Sequence, residues 1–106
     1  MAIQNTIRRA ISDPDQIGDV MRKLEKYSVD QLAENVEART LNAYWHGPLT
    51  DVAGGLDIEH HRGAITLQLY EIVWHAIDRH RQFIQSAITL SESREQAERV
   101  RRAEMV

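Results

Sequence analysis

The chain has 106 residues, 42% of them hydrophobic and 27% charged, which is enough apolar material for one folded domain and too little length for a second. Thirteen Lys and Arg against sixteen Asp and Glu leave a net charge of -3, which argues against binding nucleic acid through bulk positive charge. The absence of cysteine excludes disulfides, a zinc ribbon and a thiol nucleophile, and the short apolar runs exclude a membrane span. Residues 1–10 hold Arg8 and Arg9 without an apolar stretch, so no secretory leader is expected and a cytoplasmic location is the default.

In chain order, Ile3, Ile7, Ala10 and Ile11 share one face of a helix expected over residues 2–11. Asp13 can cap a second helix and Pro14 suits its first position, where a missing N–H is harmless. That helix, residues 14–26, carries Ile17, Val20, Met21 and Leu24 at helical spacing. Ser28 followed by Gln31 reads as a capping box opening a third helix, residues 29–45. Pro48 and the neighbouring glycines predict a loop over 46–56, rich in conformational freedom. Asp57 then caps a long helix expected over 57–90, with a charged helical tail over 91–104.

A helix of that length measures about 50 Å, whereas a compact chain of this size is about 33 Å across. It must therefore bend near Gly63 or project beyond its domain. Leu69, Val73, Ala76, His80, Phe83 and Ala87 alternate steps of four and three, the pattern of a helix–helix seam. Ile77, Ile84 and Ile88 widen this face on one side, and Leu67, Tyr70 and Trp74 continue it towards the back. The polar strip is reduced to Glu71, His75, Asp78 and Gln82. An apolar arc about twice the usual width predicts one flank on the domain and the other on a second copy, so the seam is the expected oligomer interface. The fold expected is all-α: a small bundle of three short helices and one long C-terminal helix, assembled as a homo-oligomer.

The candidate sites are few. Tyr44, Trp45 and His46 place two aromatics and an imidazole beside the expected loop; with Arg62 and Arg81 they could stack a flat ring and hold an anion, such as a nucleotide. Tyr70 and Trp74 offer an apolar flank to a protein partner. Asp57 with His61, and Glu71 with His75, stand one helical turn apart and could each present two metal ligands. Neither HExxH nor ExxH occurs, so no metal or other cofactor is expected. No phosphate loop, GxSxG elbow or cysteine nucleophile is present, and a non-enzymatic protein is the expectation.

One segment bears on DNA. Ser28 to Leu49, with Leu32-Ala33 in its first half and Arg39-Thr40-Leu41 in its second, resembles a helix-turn-helix followed by a hydrophobic hinge. MerR-like regulators are similar, and the resemblance, over about a fifth of the chain, implies DNA binding with the long helix serving dimerisation. The acidic balance of Asp30, Glu34 and Glu37 against Arg39 disfavours that outcome. The leading expectation is a binding or regulatory protein that works as a homo-oligomer through protein–protein contact, ahead of a small-anion binder.

Overall fold

Each regular element of the computed structural model, which describes residues 2–105, is helical. Helix α1 (Ala2–Ser12) buries Ile3, Ile7 and Ala10, the face its spacing predicts. Asp13 caps a 3₁₀ turn, Pro14–Gln16, by accepting from the Asp15 N–H, with Pro14 at the first position. The turn runs into α2 (Ile17–Leu24), which buries Val20 and Leu24. The second helix is therefore shorter than the expected 14–26: its start is wound 3₁₀ around the proline, and it closes after Leu24. In the predicted capping box, Ser28 Oγ accepts from the Gln31 N–H at 3.1 Å and Gln31 Oε1 accepts from the Ser28 N–H at 2.8 Å.

The single helix expected over 29–45 is two helices, α3 (Val29–Asn35) and α4 (Ala38–Tyr44). No proline or glycine causes this break. Val36 and Glu37 turn extended, with ψ of 130° and 147°, so that Val36 can enter the core at 2% exposure. The opposing long helix satisfies the backbone groups freed by the break. Ser91 Oγ donates to the Val36 carbonyl at 3.2 Å, and Glu95 Oε1 accepts from the Ala38 N–H at 3.2 Å.

The expected loop over 46–56 is also helical. Trp45–Leu49 winds as a wide π-helical turn that accommodates Pro48, and Thr50 Oγ1 donates to the Trp45 carbonyl at 2.8 Å. Helix α5 (Thr50–His61) follows directly and contains Gly54 and Gly55 within it. It ends in a Schellman motif: Gly63 takes φ 73°, its N–H bonds the His60 carbonyl, and the Ala64 N–H bonds the Glu59 carbonyl.

The long helix expected over 57–90 is accordingly replaced by a hairpin. Gly63 ends α5 rather than bending it, and Thr66 caps α6 (Leu67–Glu104) by accepting from the Leu69 N–H at 3.2 Å. The tail over 91–104 continues α6 without interruption. With 38 residues, α6 is about 57 Å long at 1.5 Å per residue. The molecule measures 61 × 21 × 21 Å, with a radius of gyration of 16.0 Å against about 13 Å for a compact chain. The α1–α4 core packs on the middle of α6, the α5 hairpin lies at one end, and the charged tail projects at the other.

On α6 the core-facing residues are Ile77, His80, Ile84, Ala87, Ile88 and Ser91. The seam expected from Leu69 to Ala87 is thus rotated by about 50° at 100° per residue. His80 and Ala87 belong to both sets and are buried in this chain's own core. Val73 and Phe83 are half-buried, while Leu69 and Ala76 stay exposed. The isoleucines win the core because they fill more space than Ala76 and sit opposite α3 and α4.

Candidate functional site

The residues proposed for a ligand site do not form one cluster. Tyr44 is fully buried, its hydroxyl 2.8 Å from His80 Nε2 and its ring edge-on to the imidazole at 5.8 Å. Tyr44 is a core member out of a ligand's reach, and His80, though buried, edges a groove lined by Glu25, Tyr27, Ala76, Arg79 and Phe83. Trp45 and Arg81 do meet, with the guanidinium 4.7 Å from the indole centre. Gln82, Gln85, Ser86 and Asp78 join them around an open groove of about 550 Å³. Arg81 Nε is buried there without a hydrogen-bond partner. His46 is exposed, and Arg62 sits at the hairpin turn, the length of α5 (about 18 Å) from Trp45.

The hairpin gathers a second set of polar groups. Tyr70 donates its hydroxyl to Asp57 Oδ1 at 2.6 Å and stacks its ring on His60 at 4.3 Å. The bond to the Asp57 carboxylate raises the Tyr70 pKa, with burial adding to it. The metal pairing of Asp57 with His61 is therefore diverted, because Asp57 serves Tyr70. His61, Glu71 and His75 point outwards, and among the described residues no three His, Asp or Glu side chains converge as a metal would require.

The most distinctive surface is apolar. Helix α5 buries no residue at all, and the hairpin leaves Ile58 at 56%, Leu67 at 57% and Ile72 at 68% exposure. Leu69 and Trp74 are exposed beside them, Trp74 with its ring edge-on to His75 at 5.3 Å. On the α6 wheel these fall on two flanks, Leu69 and Ile72 on one and Leu67 and Trp74 on the other, with α5 between them. The excessive width of the apolar arc was the sequence signal for this surface. Ile58 on α5 was missed because its neighbours read as a loop followed by the start of a single helix.

The helix-turn-helix-like pair α3–α4 presents little to DNA. Ala38, Thr40, Leu41 and Tyr44 of α4 face inwards, and the exposed Arg39 is held by Glu37 at 2.5 Å. Next to it, Asp30, Glu34, Glu37, Glu95 and Glu98 line a groove of about 630 Å³ in which Arg94 is paired with Asp30. Phosphate contacts need cations where this surface has carboxylates. No helix of the described residues is long and apolar enough to cross a membrane. The chain matches no family model, and no curated protein or solved structure is significantly similar to it.

Proposed function

We propose that this protein is a non-enzymatic helical interaction module that acts as a homo-oligomer, with a cytoplasmic location as part of the same reading. The observation that carries this is the α5–α6 hairpin, a two-helix arm with no buried residue on α5 and large apolar side chains open on both flanks of α6. Soluble monomers rarely leave contiguous apolar patches above a few hundred Å² uncovered. A two-helix arm that buries so little is also weakly stabilised by itself. The flank of Leu69 and Ile72 serves self-association, and the flank of Leu67, Tyr70 and Trp74 faces a protein partner.

Light scattering on the wild type and on Ile72→Glu tests this reading. The wild type is expected at a multiple of the 12.2 kDa chain mass. Ile72→Glu is expected at the single-chain mass with unchanged helical circular dichroism, since the exposed Ile72 supports nothing within its own chain. A monomeric wild type, or an Ile72→Glu variant that keeps the wild-type mass, overturns it.

A second reading rests on the Arg81–Trp45 contact and its unpartnered Nε, a stacked cation beside an open groove that suits a flat organic anion. A nucleotide that raises the melting temperature of the wild type but not of Arg81→Gln would favour this reading.

A further inference from the structure

The exposed flank of the hairpin does not stop where the hairpin ends. Leu69, Ala76, Phe83, Leu90 and Ala97 recur every seven residues along α6, with Ile72 beside the first of them. They lie outside the core-facing set, and each is exposed or half-buried. A seven-residue apolar repeat drifts by only about 20° per heptad on a straight helix, a drift that a gentle left-handed supercoil with a partner helix removes. The strip runs along the edge of the α1–α4 core, where Phe83 packs partly against it while Leu69, Ala76 and Ala97 stay exposed.

We propose that two copies pair antiparallel along this strip, centred on Phe83, so that the acidic hairpin of each copy lies against the basic C-terminal end of the other. The proposal rests on the self-association reading above and specifies its geometry. Charge decides the direction. Helix α5 carries Asp51, Asp57 and Glu59 and, apart from its histidines, no basic residue before Arg62 at the turn, while Arg99, Arg101 and Arg102 crowd the end of α6 against Glu104 and Glu98, the latter paired with Arg102. A parallel pair would set each cluster beside its own copy and repel. In the antiparallel register residue 69 faces residue 97 of the other copy. The hydrogen bond from Tyr70 then holds Asp57 near the level of the opposing arginines.

Area supports the same arrangement. From residue 69 to residue 97 the strip is about 42 Å long and about 10 Å wide, a projected area of about 400 Å². Specific complexes bury roughly 800 Å² per partner, so the strip alone falls short and the ends must contribute. Only the antiparallel arrangement brings the hairpin of one copy onto the projecting tail of the other, where Val100 is also exposed.

The chain has no cysteine, so introduced thiols report the geometry cleanly. Leu69→Cys and Ala97→Cys are each oxidised alone and then mixed, with the disulfide-linked dimer of about 24 kDa read on a non-reducing gel. The expected result is efficient cross-linking in the mixture and none with either variant alone, because like positions stand about 42 Å apart in this register. Cross-linking of Ala97→Cys alone means parallel helices and overturns the proposal. Cross-linking of Leu69→Cys alone means hairpin-to-hairpin packing, which overturns the register and leaves self-association standing. No cross-link in any sample, with native mass spectrometry still showing an oligomer, overturns the strip as the interface. A monomer in native mass spectrometry overturns both the geometry and the self-association reading.

Discussion

His80 Nε2 meets the Tyr44 hydroxyl at 2.8 Å inside the core, joining α4 to α6 by a buried polar contact between side chains. Either neutral tautomer of the imidazole satisfies the pair, and a protonated ring could still donate to the phenol oxygen. The bond therefore does not oppose protonation; burial does, and it pushes the His80 pKa down to about 4 from an ordinary value of 6.5. Glu25 and Arg79 line the groove next to His80.

This depression fixes a pH dependence with a definite sign. Between about pH 6.5 and 4 the unfolded chain binds a proton at His80 that the folded chain refuses. Stability from this group is thus complete above pH 6.5, falls as the pH drops through that window, and is lost below about 4. At about 1.4 kcal/mol per pKa unit the loss is on the order of 3 kcal/mol, a large fraction of what a small domain has. Urea denaturation of the wild type from pH 8 to pH 4 should show it, and His80→Gln should flatten that part of the curve. An unchanged pH slope in His80→Gln would place the acid sensitivity elsewhere. Tyr44→Phe, which removes the partner but not the burial, should lower stability while retaining the slope.

The second buried polar contact holds the break between α3 and α4. Ser91→Ala would leave the Val36 carbonyl without its donor in a position that is 2% exposed. An unsatisfied buried group of this kind costs about 1–3 kcal/mol. Chemical denaturation of the variant should give a loss in that range, with the helical content of the native state unchanged. A loss below about 0.5 kcal/mol would show that the extended turn at Val36 is held by the packing of its side chain instead.

These contacts also mark what could be read from the sequence. Features written within a few residues were legible: the Ile3–Ile7–Ala10 face, the Asp13–Pro14 start, and the Ser28–Gln31 box, each of which the structure contains. The break at Val36 was not, because its causes, Ser91 and Glu95, lie more than fifty residues away. Nor was the helical passage through Pro48, which depends on a widened turn that local propensity disfavours. The α6 seam was half legible. Its arc was wide enough to hold two stripes, and which of them faces the core was decided by α3 and α4 rather than by the pattern on α6 itself. Of the candidate site, the meeting of Trp45 with Arg81 was foreseeable only as a pair of compatible side chains. The burial of Tyr44 was not foreseeable from its place next to Trp45.

The hairpin itself hangs on one backbone angle. Gly63 sits at φ 73°, and a Cβ added there meets nothing within 4 Å, so a substitution is opposed by conformation alone and not by crowding. An L-residue in the left-handed region costs about 1–2 kcal/mol, and Asn tolerates it better than Ala because its side chain can bond locally. Gly63→Ala should therefore weaken the α5–α6 turn by about 1 kcal/mol and Gly63→Asn by clearly less. Amide exchange is the measurement that isolates this, since α5 buries no residue and its protection reflects the turn and whatever covers the arm. Faster exchange across α5 in Gly63→Ala, with the Ile7, Leu24 and Leu41 core unchanged, is the expected pattern. Equal exchange rates for the Ala and Asn variants would show that the left-handed angle is not what holds the arm folded back.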